Sequence, residues 1–236
     1  MQARRNELTG VTFIKSPPVT NPGLWLDKYL PQQEVRGANG GDGNAKGAHM
    51  RSADRCPIPS GYAEAFQRWQ ATFGELALKA QAQVVGRMVI GLGMEGALEA
   101  GIQLHHTWGV PFIPGSALKG VAAAAAHQLS QDPEWRKPKD TAAQPTREPT
   151  AYDELFGTVA QQGLVHFHDA WWDPAGATTV PLHLDVMTVH HPNYYQDANP
   201  SPPADTDSPT PVPFMSASGT YVIVVEAADP AWAEAA

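Results

Sequence analysis

The sequence predicts an α+β protein, and three observations carry that expectation. Two segments show helical apolar spacing or are built from strong helix formers. Four shorter ones alternate in polarity or concentrate β-branched residues, and glycine- and proline-rich stretches separate them. At 236 residues and 42% apolar, the chain can fill the core of one large domain, or of one domain with a substantial insertion.

Residues 1 to about 30 mix short apolar pieces with Pro17, Pro18, Pro22 and Pro31. Arg36 to Lys46, with Gly37, Gly40, Gly41 and Gly43, reads as a flexible loop. A helix then follows from Ser60 as N-cap, with Tyr62, Phe66, Trp69, Phe73 and Leu76 on one stripe. At that spacing the aromatic groups are expected to pack in a core rather than bind bases. Gln81 to Gly91 alternates Ala82, Val84, Met88 and Ile90 with polar residues and predicts a strand. Gly91 to Gly115 is too irregular for a helix. Ser116 to Leu129 predicts one, because its alanine run is the best of helix formers and lets the helix approach another backbone closely.

Pro133, Pro138, Pro145 and Pro149 mark Ser130 to Thr150 as an exposed insertion. Leu164 to Ala170 predicts a strand with Val165 and Phe167 on one face and His166 and His168 on the other. Leu182 to His190 is expected to form a third strand, Pro192 to Pro213 a proline-rich loop, and Tyr221 to Glu226 a short β-branched strand. At the end, Asp229 is a good N-cap and Pro230 suits the first helical position, yet the sequence stops at Ala236 after less than two turns. A helix that short is unstable alone. The expectation is therefore a chain truncated at its C-terminus, with the last helix and strand missing.

A formal charge of −8 disfavours free-standing, non-specific nucleic-acid binding, which calls for a basic surface. That objection weakens inside an assembly, where only one face has to meet phosphate. The basic groups Arg4 and Arg5, Arg51 and Arg55, and Arg136, Lys137 and Lys139 read as solvated surface. The single cysteine, Cys56, excludes an internal disulfide framework and fits a reducing, cytoplasmic setting. No stretch reaches the roughly 18–20 apolar residues of a membrane span, and no apolar signal core follows Met1.

Several motifs compete for a chemical role. Gly91-Leu-Gly-Met-Glu-Gly96 satisfies G-x-G-x-x-G, but Gly101 and Pro111 interrupt where a dinucleotide fold needs a long helix, and no acidic residue stands at ribose spacing. No cofactor is expected. The nine histidines include the adjacent pairs His105–His106 and His190–His191, yet one cysteine and dispersed imidazoles do not make a structural zinc pattern. No metal is assigned. Asp153, Glu154, Asp169 and Asp185 show no pairing in sequence, and Ser116 lacks the spacing of a nucleophile elbow, which leaves it a capping role.

The segment Gly101 to Gly120, GIQLHHTWGVPFIPGSALKG, is a glycine-bearing loop entering a helix that carries Lys119 in its first turn. Backbone N–H groups at a helix N-terminus favour an anion such as phosphate, and His105, His106 and Trp108 suit stacking on splayed bases. The competing reading is a packed strand-to-helix connection with Lys119 in solvent. The residues alone leave both open.

Ile113-Pro-Gly-Ser-Ala-Leu-Lys-Gly120 resembles the (Y/F)IPGSSLKG signature of the RAMP superfamily, the repeat-associated CRISPR proteins. The preceding Gly101 to Pro111 resembles the version carried by one subunit of the type III-B Cmr effector complex. Further similar motifs follow in order: Leu155-Phe-Gly157, Gly163-Leu-Val-His-Phe-His-Asp169, Leu184-Asp-Val-Met-Thr-Val-His-His191 with Tyr194-Tyr195, and Pro211-Val-Pro-Phe214. The similarity spans about residues 81 to 226.

The resemblance implies a ferredoxin-like, RRM-related RAMP core with loop insertions over residues 81–236, incomplete at its C-terminus. Residues 1–80 form an N-terminal segment with a flexible loop and one amphipathic helix. It implies a non-catalytic subunit of an antiviral ribonucleoprotein that targets foreign RNA. Its partners would be the CRISPR guide RNA and other Cmr subunits, the repeated backbone subunit above all, with target RNA met indirectly. The implied RNA contacts are Gly115, Ser116 and Lys119, with His105, His106 and Trp108 nearby. Where the family's backbone subunit cleaves with a loop aspartate, this sequence offers Glu95 and Glu99. The alternative is a metal-independent RAMP endoribonuclease that processes CRISPR transcripts, with His105 or His106 as base.

Overall fold

A computed structural model of the chain describes residues 10–16, 19–31, 44–98, 100–139, 147–176, 178–189, 202–207 and 209–236, with the single residues 8, 191 and 194. The chain divides into two compact units, each assembled from separated stretches. One takes Met1–Ser60, Val85–Pro111 and Thr178–Ser218; the other takes Gly61–Val84, Phe112–Ala177 and Gly219–Ala236.

The second of these is built around the β-branched run that the sequence marks near its end. Strand β7 (Thr220–Ala227) is central in a five-stranded antiparallel sheet that also contains β1 (Ala77–Gln83), β2 (Phe112–Ile113), β3 (Val165–Phe167) and β4 (Ala170–Trp172). Strand β1 pairs along one side of β7, from Ala77 opposite Glu226 to Gln83 opposite Thr220. On the other side β3 and β4 follow one another along β7, and β2 adds to β4. The expected strand from Gln81 to Gly91 thus begins four residues earlier, at Ala77, and ends at Gln83.

The expected single strand over 164–170 is broken by a bulge. Phe167 faces Val225 and Trp171 faces Val222, so the β3–β4 side accommodates one extra residue at His168–Asp169. Such an insertion bends the strand and re-aims a side chain. Val165 and Phe167 still face the core while His166 is exposed, as the alternation predicts.

Helix α3 (Tyr62–Ala71) covers one face of this sheet. Its N-cap is Gly61, at φ 87°, rather than Ser60, and Phe73 and Leu76 lie beyond its end. The aromatic stripe does what helical spacing implies: Trp69 stacks on Trp171 at 5.2 Å, Tyr62 on Trp171 at 6.0 Å, and Phe73 meets the His168 ring edge-on at 4.8 Å. Tyr62 is fully buried, and its hydroxyl donates to the Trp172 carbonyl at 2.7 Å. Burial raises its pKa well above the usual phenol range.

The opposite face carries Val165, Phe167, Val225 and Ala227. Against them pack Ala122, Ala123 and Ala126 of α4 (Gly115–Leu129), then Tyr152, Leu155 and Phe156 of α5 (Ala151–Phe156), and Ala233 of α6 (Pro230–Ala235). The small alanine side chains of α4 allow that approach. Helix α5 starts with a reciprocal capping box between Thr150 and Asp153, and Asp229 caps α6 through the Ala231 N–H at 3.0 Å.

The other unit contains two helices that periodicity did not reveal, α1 (Pro22–Lys28) and α2 (Asn44–Ala53), and a two-stranded antiparallel ribbon. Trp25, Leu26, Met50, Ala53, Leu182 and Met215 form its core. A fully buried side chain of this size contributes roughly 1.5–3 kcal/mol. Trp25 and His49 lock α1 to α2: the rings stack at 4.8 Å, His49 Nε2 donates to the Trp25 carbonyl at 2.9 Å, and Trp25 Nε1 donates to the His49 carbonyl at 3.3 Å. Cys56 is buried beside this core, and burial pushes its thiol up to about 11.

The ribbon pairs β5 (Leu182–Val189) with β6 (Thr210–Ala217). Pro211 and Pro213, expected to end a loop, belong to β6 instead. Ala217, in step with them, exchanges its backbone bonds with Met88, on the side away from β5. The nitrogens of Pro211 and Pro213 therefore also face away from β5, where no ladder hydrogen bond is lost. The expected loop over 36–43 and most of residues 192–201 lie outside the described residues, while Asn44 to Lys46 already belong to α2.

Candidate nucleic-acid interface

The segment Ile113 to Gly120 leaves β2 and turns directly into α4. Pro114 takes the N-cap position, and its carbonyl accepts from Ala117 N at 2.9 Å and Leu118 N at 3.1 Å. The next residue is buried, and its N–H is already used: Gly115 donates to Asp169 Oδ1 at 2.7 Å. A Cβ at 115 would collide with the Phe167 carbonyl oxygen, so this contact of backbone on backbone admits only glycine.

That geometry revises the expected anion site. The positive end of the helix is met by the Asp169 carboxylate, so an incoming phosphate does not find the Gly115 N–H available. Ser116 is not the cap; it is an exposed residue within the helix's first turn. What remains is a shallow cleft of about 200 Å³ lined by Gly115, Ser116 and Lys119 on one side and Gln162, Gly163, Val165, His166 and Phe167 on the other. Its polar groups are an ammonium, a hydroxyl, a carboxamide and an imidazole, all able to donate to an oxyanion. His166 and Gln162 lie 3.5 Å apart through their Nε2 atoms.

His105, His106 and Trp108 lie together in the other unit, in a tight turn. Leu104 and Pro111 pair across its base, His105 N donates to the Val110 carbonyl at 2.8 Å, and Gly109 N donates to the His105 carbonyl at 2.7 Å. His106 is exposed and Trp108 half-buried. His105 and His106 also line a cavity of about 370 Å³ with Leu24, Asp27 and Lys28 of α1 and with residues 94–98. The six expected contact residues thus form two groups of three, one in each unit.

Several other histidines and carboxylates are engaged locally. His168 pairs with Glu226 at 3.2 Å, His191 with Asp207 at 2.8 Å, and His183 with the Ser218 hydroxyl at 2.8 Å. Burial, then the Arg87 charge, holds His183 below the ordinary imidazole range. Asp153 binds Arg147 at 2.6 Å, and Asp185 contacts Ser216 and Arg87. Among the described residues, no three His, Cys, Asp or Glu side chains gather to hold a metal ion, and no helix is long and apolar enough to cross a membrane.

Three residues of these sites have roles that the sequence does not reveal. Gln162 sits in a loop without a motif. Asp169 is legible as one carboxylate among several and as the end of the Gly163–Asp169 motif, but nothing in sequence pairs it with Gly115. Asn21, whose carboxamide donates to the His106 and Thr107 carbonyls, carries in sequence only the Asn-Pro signature of a helix start.

An antiparallel sheet flanked by helices, with a glycine-serine-lysine turn feeding a helix beside its strands, defines an α+β protein with a cleft suited to an oxyanion. Residues 81–222 match the family model of the RAMP superfamily, and the chain belongs to that superfamily. It is 31% identical over 183 residues to the CRISPR system Cmr subunit Cmr6 of Pyrococcus furiosus, covering 59% of this chain and 54% of that protein. The chain therefore spans about half the length of the curated relative it matches. In fold it is similar to a chain in the cryo-EM structure of the type III-B Cmr-beta bound to cognate target RNA, with a TM-score of 0.58 at 16% identity, over 85% of this chain and 68% of that one. The crystal structure of Cmr6 from Pyrococcus furiosus aligns at a TM-score of 0.37 and 26% identity, over 67% of this chain and 86% of that one.

Proposed function

We propose that this protein is a non-catalytic, guide-RNA-holding subunit of a type III-B Cmr ribonucleoprotein, in the position of Cmr6. The observation that carries the reading is the meeting of two separated motifs in one cleft: Ser116 and Lys119 from the glycine-serine-lysine turn, and His166 from the Gly163–Asp169 motif, with Gln162 just before it. Four donors around a shallow concavity suit a phosphodiester, whose recognition fixes a strand's position without reading its sequence. The cleft is open enough for a backbone to pass through. Relatedness to Cmr6 supports the assembly, and an assembly reconciles RNA holding with a charge of −8.

In the same reading the sheet is ferredoxin-like. Strand β7 stands between β1 on one side and β3–β4 on the other, which is the arrangement of the first, third and second strands of that fold. Its neighbours would be the repeated backbone subunit and the guide, inside the cell.

Tagged protein purified from its native host, analysed by mass spectrometry and RNA sequencing, tests this. Other Cmr subunits and short guide RNAs should come with it. Recovery of the lone chain without RNA would reduce the relationship to one of fold.

A further inference from the structure

Asn21 is the N-cap of α1: its Oδ1 accepts the Leu24 N–H at 3.0 Å, and Pro22 follows at the first helical position. Serine or aspartate serves a helix start equally well. Asn21 does more, because its carboxamide also has two N–H donors. Nδ2 donates to the His106 carbonyl at 3.1 Å and to the Thr107 carbonyl at 3.0 Å, 85 and 86 residues further along the chain. The orientation of the amide is fixed by its partners, since Leu24 offers only a donor here and the two carbonyls only acceptors.

The turn is shaped to receive this clasp. Gly109 adopts φ +63°, which side chains other than glycine rarely tolerate, and a Cβ there would lie 2.7 Å from Asn21 Oδ1 and collide with Pro22 Cδ. The turn therefore closes directly over Asn21 and Pro22. It holds His106 at the surface with Trp108 two residues on, while the carbonyls that would otherwise splay toward water are gripped from below.

We propose that Asn21 is a positioning residue: it fixes the His105–Gly109 turn in the conformation that presents His106 and Trp108 to RNA. This rests on the RNA-holding reading above for its function, but not for its geometry. A role confined to capping α1 would be filled by Ser or Asp. The turn demands the two amide hydrogens.

The test compares Asn21→Asp and Asn21→Ser in the full chain. Both keep an acceptor for Leu24 N–H, so exchange protection of the α1 amides stays at the wild-type level. Protection of the His105 and Gly109 amides falls about tenfold or more in both at neutral pH. On acidification Asn21→Asp regains that protection, because the protonated carboxyl can donate to one carbonyl, whereas Asn21→Ser does not. In the RNA-bound complex both variants weaken RNA retention about tenfold at neutral pH, as His106→Ala combined with Trp108→Ala does.

Wild-type protection in the turn would overturn the proposal whatever the RNA does. An opened turn with undiminished RNA retention would overturn it too. The His106/Trp108 variant then separates the causes: if it weakens RNA binding, only the positioning role of Asn21 fails, and if it does not, the RNA role of the turn fails as well.

Discussion

Asp169, at the bulge where its strand holds one residue more than the strand it faces, accepts the Gly115 N–H at 2.7 Å. The carboxylate thus meets the start of α4, whose alanines pack on the same face as Val165 and Phe167. There it supplies both a hydrogen-bond acceptor and a negative charge, the pairing a helix N-terminus favours.

Replacing Asp169 with Ala should cost about 1.5–3 kcal/mol, the usual range for a hydrogen bond to a charged group. Asp169→Asn should lose less, since its amide oxygen still accepts. Urea unfolding of the full chain reads both, and equal stability of the Ala variant and wild type would remove the anchor from the account.

Gly115→Ala should be the more severe change. The added methyl meets the Phe167 backbone, which can yield only if β3 moves, and overpacking of that kind costs typically 1–3 kcal/mol or more. Ser116→Ala, on an exposed residue, should stay within about 0.5 kcal/mol of wild type. The difference between the two midpoints is the measurement.

Lys119→Ala should weaken RNA retention and reduce the slope of log affinity against log salt by roughly 1, the signature of one lost phosphate contact. Filter binding from low to moderate salt gives the slope. An unchanged slope would place Lys119 in solvent and return the cleft to a packed strand-to-helix connection.

The hydrogen bond from Arg147, ahead of those from Thr150, holds the Asp153 carboxyl below the ordinary carboxylate range. With the folded value depressed, the stabilisation is fully present above the unfolded pKa of about 3.9 and is lost as pH falls through the lower folded value. Asp153→Asn should flatten the stability profile in that acid window and shift the curve at neutral pH. Thermal melts from pH 7 downward check it; a wild-type profile below pH 4 identical to that of the variant would count against the pair.

The sequence was most legible where local propensity and packing agreed. The β-branched run of β7 and the alanine run of α4 form the elements that their propensities predict, and the stripe of α3 packs as its spacing implies. Pro211 and Pro213 misled because proline argues against a strand only where its nitrogen must donate, and the outer side of β6 makes no such demand. The Thr150–Asp153 spacing is that of a capping box, a helix start written in the sequence itself. At the candidate interface, the motif residues were visible and their partners were not: Asn21 acts on a turn 85 residues away, and Asp169 sits at a bulge that no single strand reveals.

The outer margin of β6 has a further consequence. A bare strand edge offers alternating donors and acceptors to any extended peptide that drifts alongside. With Pro211 and Pro213 turned outward, two successive donors on that margin are replaced by ring carbons. A visiting strand would find carbonyls without their complementary N–H groups, and bulk where it needs to draw close. The hairpin is thus blunted against accidental zippering over this stretch.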